Sequence, residues 1–187
     1  MAQRATGRAA MYCCPWMTEL GIAKQLVDLP TVDVLINNAG VIGPEPDEQT
    51  PLNMDRDGFS HMLTVNTIAP LAVAQAVLPQ LSESAAPKIL SMSSQMAWMG
   101  YPKPTQFAYR ASKSALNEVM QGLTTSLEPE GIPVALVDPG WVRTDMEGVD
   151  ANEDPAAVAA GTLDIAPRLT ANDTGMFFRF TGEERDF

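Results

Sequence analysis

Four short runs of aliphatic and β-branched residues alternate along this chain with stretches whose apolar residues recur at helical spacing. That alternation constrains the fold more than any other feature. A strand that is apolar on both sides must be covered on both faces, and the usual solution is a parallel sheet between two layers of helix. The runs are Val32–Ala39 ending at Gly40, Lys88–Ser93, Pro133–Asp138 stopped by Pro139-Gly140, and Met176–Phe180 stopped by Gly182. Helices are predicted over Thr18–Leu29, Asp55–Leu81, Gln106–Leu127 and Asp154–Ile165. Gln106–Leu127 carries Ala111, Ala115, Leu116, Val119, Met120, Leu123 and Leu127 as one apolar stripe. Pro70 should kink the long Asp55–Leu81 helix, because it cannot donate a backbone hydrogen bond. The acidic, turn-rich stretch Asp145–Pro155 reads as a mobile loop. The fold class is therefore α/β, three layers around a doubly wound parallel sheet.

Composition narrows the function. The chain has 187 residues, sized for one domain. It is 45% hydrophobic, which excludes a mainly disordered chain, and 23 acidic against 12 basic residues give a net charge of −11. Nucleic acid and anionic membranes need a positive field, so neither is an expected partner. The adjacent Cys13 and Cys14 make no disulfide framework and read as reduced thiols, hence a cytoplasmic expectation. No run of about 20 apolar residues suggests a membrane span, and no metal ligands are assigned.

Several residues suggest chemistry. Tyr109 and Lys113 stand four apart on a predicted helix and so share a face. A phenol titrates near 10 when unperturbed, and an adjacent ammonium favours the phenolate, so the pair is a plausible acid–base unit. Ser94 lies at the end of a strand, where α/β sheets hold ligands. Ser93 is an equal candidate on spacing alone, and either could simply cap the turn. Asn37-Asn38-Ala39-Gly40 ends another strand: the Asn side chains can satisfy stray backbone groups, and Gly40 permits close approach. Asn66 sits inside an apolar helix, a poor position for Asn unless its side chain is used; it could hold a water near Lys113.

Taken in order, Asn37-Asn38-Ala39-Gly40, Val65-Asn66, Ser93-Ser94, Tyr109-Arg110-Ala111-Ser112-Lys113 and Pro139-Gly140-Trp141-Val142-Arg143-Thr144 resemble the short-chain dehydrogenase/reductase family. Tyr109–Lys113 followed by Ala115-Leu116-Asn117, and Gly175-Met176-Phe177-Phe178, look like its C-factor-like branch. The resemblance covers Thr18 to Phe187, with residues 1–17 as an N-terminal remnant and 18–187 as a single domain. It implies a Rossmann-like sheet and hydride transfer between NAD or NADP and a carbonyl/alcohol pair. It assigns catalysis to Asn66, Ser94, Tyr109 and Lys113. Tyr109 would protonate the carbonyl oxygen, Ser94 would orient it, Lys113 would hold the cofactor ribose, and Asn66 would anchor a relay water. Cofactor contacts fall on Asn38, Ala39, Gly40, Tyr109, Lys113, Pro139, Gly140 and Thr144. The 15-residue step from Ser94 to Tyr109 is slightly longer than the family's usual spacing. Met96, Trp98, Met99, Tyr101, Phe107 and Trp141 suggest an apolar lining for a small hydrophobic carbonyl or alcohol, or else core and interface packing.

The family's glycine-rich phosphate turn has no counterpart here. Gly7 and Gly21 are the only glycines before Asn37, and Trp16 stands where the family has an adenine-contacting Asp. The resemblance therefore predicts an N-terminally truncated fold with weak NAD(P) binding. Without the family's first two strands, Val32–Ala39 would expose an unpaired apolar edge. Ala9–Cys14 is expected to fill that slot in parallel, and the long helices predict a homo-oligomer. Two other readings stay open. One is a non-catalytic interaction or signalling protein on a reductase scaffold. The other is a hydrolase, although no Gly-x-Ser-x-Gly elbow surrounds Ser94.

Overall fold

Every residue of Val134–Asp138 is buried, and successive side chains enter opposite layers. Val134 and Leu136 pack with Val73, Val77, Leu116 and Met120, whereas Ala135 and Val137 pack with Val158, Ile165, Leu169 and Phe180. This follows from the period-two alternation of a strand covered on both faces, and it builds the three expected layers. The computed structural model describes residues 9–11, 29–100, 103–144 and 150–187. Its strands are β1 (Ala9–Met11), β2 (Val34–Asn37), β3 (Gln49–Thr50), β4 (Asn53–Met54), β5 (Lys88–Met92), β6 (Val134–Asp138) and β7 (Phe177–Arg179). The main sheet runs β1-β2-β5-β6-β7 with every neighbouring pair parallel, while β3 and β4 form a separate antiparallel hairpin.

The four sequence runs all become strands, trimmed at their ends where the chain turns out of the ladder. Ala9–Met11 pairs with Val34–Ile36, on the free side of β2. The remainder of the expected Ala9–Cys14 run, and nearly all of the predicted helix Thr18–Leu29, lie outside the described residues.

The described helices are α1 (Arg56–Leu63), α2 (Ala69–Ser82), α3 (Phe107–Leu127) and α4 (Pro155–Ile165). The α2 and α3 helices cover one face of the sheet and α4 the other. The expected kink at Pro70 takes a specific form. Residues Thr64–Ile68 make a π turn between α1 and α2, and the amide of Ala69 donates to Thr64 O, five residues back. Pro70 has no N–H for the carbonyl of Asn66, so the regular four-residue ladder is broken at that point.

Arg56–Ser82 is a 27-residue helical span apolar enough by composition to cross a membrane. It is not a continuous apolar run, since Thr64, Asn66, Thr67, Gln75 and Gln80 interrupt it. Its apolar character serves packing on the sheet: Val73, Ala74, Val77 and Leu81 are core residues. The loop reading of Asp145–Pro155 is also revised in part. Residues 145–149 lie outside the described set, but Glu153 bridges to Val142, exchanges backbone hydrogen bonds with Trp141 and Arg143, and pairs with Arg179. Asp154 then caps α4 by accepting from Ala156 N at 3.1 Å.

Leu136, at the sheet centre, is 1% exposed and surrounded by both neighbouring strands and the α3 layer. Leu136→Ala is expected to cost about 2–5 kcal/mol of stability. Urea unfolding should show a lower midpoint at unchanged m-value.

Candidate active site

The carboxyl ends of β2, β5 and β6 bring three loops to one edge of the sheet, the edge at which α/β sheets bind ligands. They carry Asn38–Gly40, Ser93-Ser94 and Pro139-Gly140 respectively. The two asparagines divide the work. Asn37 is buried and donates to Ser91 Oγ at 3.0 Å and to Pro70 O at 3.4 Å, so it is structural. Asn38 is exposed, and Ala39 and Gly40 are half-buried.

The two serines divide in the same way. Ser93 is buried and its hydroxyl donates to Asn117 Oδ1 at 2.5 Å. Ser94 is half-buried, and its Oγ accepts from Met96 N at 3.1 Å at the start of a short 3-10 turn. Ser93 is thus engaged in the core, whereas Ser94 retains a hydroxyl proton to offer. The Ser94 loop is held by Asp138, whose Oδ1 accepts from Gln95 N at 3.2 Å and from Gly140 N at 3.0 Å. One carboxylate oxygen therefore ties the β5 loop to the β6 loop. The other faces Arg185 Nη2 at 3.2 Å, and the Asp138 side chain is only 1% exposed. Gly140 has φ +72°, a conformation that glycine adopts at no steric cost. Pro139 is half-buried and Thr144 is exposed, beside residues 145–149.

Asn66 is fully buried on the π turn and spends its side-chain amide on structure. Its Oδ1 accepts from Val41 N at 2.8 Å. Its Nδ2 donates to Val41 O at 2.8 Å and to Ser112 Oγ at 2.9 Å. Three of its hydrogen-bonding positions are thereby met within the protein: one acceptor and both donors. Ser112 in turn donates to Tyr109 O at 2.7 Å, and Thr67 Oγ1 donates to Ser112 O at 2.8 Å. The π turn thereby grips α3 between Tyr109 and Lys113.

Lys113 is 5% exposed and donates to Met92 O at 2.8 Å. Its ammonium lies 5.9 Å from the Tyr109 ring centroid. Tyr109 is itself buried in a cluster with Met62 and Ala108. A Cβ added at Gly40 would lie 3.4 Å from Asn66 Oδ1 and 3.6 Å from Lys113 Nζ, so Gly40, Asn66 and Lys113 enclose one small space.

The family described as short chain dehydrogenase matches residues 18–155. The chain belongs to this family. C-signal of Myxococcus xanthus is 37% identical over 155 residues, covering 82% of this chain and 91% of that protein. Five further curated relatives are longer, and the chain spans 46% to 67% of their length. Among solved structures, the carbonyl reductase Sniffer of D. melanogaster superposes with a TM-score of 0.84 at 27% identity, covering 90% of this chain and 74% of that one. An NADPH-bound carbonyl reductase from chicken fatty liver gives 0.76 at 28% identity, over 90% and 71%.

As a short-chain dehydrogenase, the chain thus assembles Gly40, Asn66, Tyr109 and Lys113 around one helix–sheet junction, with Ser94 on the next loop. Of the expected apolar lining, Met96 packs into the Tyr109 cluster. Trp98, Met99, Phe107 and Trp141 are exposed, and Tyr101 lies outside the described residues. Sequence reasoning missed Asp138, Ser112 and Gln49. In the sequence Asp138 reads as a strand end; a carboxylate closing an apolar run directly before Pro139-Gly140 is the signal that points to it.

Burial pulls the Lys113 ammonium down from 10.5 to about 8. Below about 8 both folded and unfolded chains keep this proton. Between about 8 and 10.5 the unfolded chain keeps it while the folded chain loses it, so this group's contribution to stability rises with pH across that window. The whole effect is about 3 kcal/mol. Lys113→Met has no such group, so its stability relative to wild type should fall by that order from pH 7 to 10.5. Chemical denaturation across that range measures it.

Proposed function

We propose that this chain is an NAD(P)-linked oxidoreductase for a small hydrophobic carbonyl or the corresponding alcohol. The observation that carries the reading is the space bounded by Gly40, Asn66 and Lys113 beside the helix turn that bears Tyr109. A Cβ at position 40 would come into van der Waals contact with Asn66 Oδ1 and Lys113 Nζ, so glycine there leaves the approach to Lys113 open to the nicotinamide–ribose end of a dinucleotide. Asn38, Ala39 and Gly40 from one loop and Pro139, Gly140 and Thr144 from another would hold that cofactor, with Lys113 and Tyr109 facing its ribose. When bound, it supplies or accepts the hydride.

The chain's own residues handle the oxygen and its proton. Tyr109 donates the phenolic proton to the carbonyl oxygen, and the neighbouring ammonium of Lys113 favours the phenolate left behind. Ser94 donates a hydrogen bond to the same oxygen. Asn66 contributes through its main-chain carbonyl, which Pro70 relieves of its α-helical donor, while its amide keeps the junction rigid. The exposed Trp98, Met99, Phe107 and Trp141 near these loops support an apolar substrate.

Tyr109→Phe is expected to lower kcat for NADPH-dependent carbonyl reduction about 10²- to 10⁴-fold. Ser94→Ala should lower it about 10²- to 10³-fold, as for loss of one oxyanion donor. Full turnover by Tyr109→Phe would overturn the assignment. The 187-residue chain carries no glycine-rich turn, so calorimetric titration with NADH and NADPH should give dissociation constants well above the micromolar range.

One observation favours a second reading. The relative that the chain covers over 91% of its length is named C-signal, which supports a non-catalytic interaction or signalling role on this scaffold. No heat of cofactor binding together with no carbonyl turnover would favour it. Either reading is compatible with a homo-oligomer formed through the two long helices, where Ile68 is half exposed. Light scattering at micromolar concentration should show more than a monomer.

A further inference from the structure

We propose that Gln49 is a positioning residue for Tyr109, acting as the N-terminal cap of α3 from 60 positions away in the sequence. The inference rests on the reading of Tyr109 as the proton donor. The first amides of a helix have no partner within it, and a capping side chain normally satisfies the second or third. Here the residue before α3, Gln106, is left-handed at φ 54° and makes no side-chain cap. Tyr109 is the third residue of α3, and its amide donates instead to Gln49 Oε1 at 3.2 Å.

Gln49 is 1% exposed, so its polar atoms find their partners in protein. Its Nε2 donates to Ile42 O at 3.0 Å and to Pro44 O at 2.5 Å. A primary amide offers two donors and an acceptor, and here they meet two carbonyls and one amide. Glutamate would supply the acceptor without the donors, and methionine would fill the space with neither. The β3–β4 hairpin delivers the side chain, with Gln49 paired to Met54.

The partners explain why this contact reaches the chemistry. Ile42 and Pro44 continue directly from Gly40, through Val41, which Asn66 grips by both backbone groups. Gln49 therefore spans the loop that follows Gly40 and the helix turn that carries Tyr109. One turn further along α3, Ser112 and Lys113 have their own anchors on Asn66, Thr67 and Met92. Loss of Gln49 should free the first turn of α3 while leaving Lys113 in place, separating the phenol from the ammonium.

The test compares the full chain with Gln49→Met and Gln49→Glu, using NADPH and 4-nitrobenzaldehyde. Gln49→Met should lower kcat about 10- to 100-fold, the scale of a small misplacement of a reacting group. KM for the aldehyde should stay within about threefold of wild type. Exchange of the Tyr109 amide should quicken at least about tenfold relative to that of Leu116. Gln49→Glu keeps the acceptor, so it should retain slow exchange at Tyr109 and recover part of kcat, while Gly43 and Glu45 exchange faster. Should Gln49→Met fail to fold, that Gln49→Glu pattern decides alone. A kcat within twofold of wild type in Gln49→Met, or fast Tyr109 exchange in Gln49→Glu, would overturn the proposal. A wild-type chain without NADPH-dependent turnover would sink the oxidoreductase reading, and the exchange comparison would still decide whether Gln49 holds Tyr109.

Discussion

The side-chain amide of Asn66 meets both the N–H and the C=O of Val41 at 2.8 Å, from the middle of a helical span and out of contact with water. The loop after β2 cannot form a ladder with the helix, so the polar groups of the half-buried Val41 need a side-chain partner where the loop meets it. With Val41 held, Gly40 has a fixed distance to Lys113 and the Asn38–Gly40 segment has a fixed exit from the sheet. The same amide reaches Ser112 and so sets where α3 lies against the π turn. Both halves of the candidate site are referenced to one planar group, which an aspartate or a leucine could not replace at all three contacts.

The π turn makes this possible. A regular α-helix through Thr64–Ile68 would rotate Asn66 off its partners, and Pro70 prevents that regular helix. The departure from ideal geometry thus sits at the junction that forms the candidate site, as such turns often do. The burial of Lys113 shows the same trade. Its charge is held away from water and donates to Met92 O, a costly arrangement for folding. It becomes intelligible if a cation must act on the neighbouring phenol and on a ligand rather than on solvent.

On the other side of the site the ordering device is electrostatic. Asp138 binds the Gln95 and Gly140 amides through one oxygen and meets Arg185 through the other. Arg185 is itself placed by donating its backbone N–H to Phe177 O at 2.7 Å. The segment after β7 therefore neutralises the carboxylate that aligns the Ser94 loop, and breaking that pair would leave a buried charge without compensation.

Much of this was legible in the residues. The apolar runs required a covered parallel sheet, the 3.6-residue stripe required α3, and the Asn-Asn-Ala-Gly, Ser-Ser and Tyr-x-x-x-Lys elements named the loops that would converge. These are local properties: period, β-branching and turn chemistry act within a few residues of one another. Tertiary structure alone decided which of two adjacent serines is buried and which faces outward, because Asn117, 24 positions away, takes the hydroxyl of Ser93. It alone made the Asn66 amide a clamp on Val41 and Ser112, made Gln49 the cap of a distant helix, and joined Asp138 to Arg185. Each of those outcomes depends on a hydrogen-bond partner supplied by a remote segment, and a side chain's spelling in the sequence carries no record of which remote group will stand beside it.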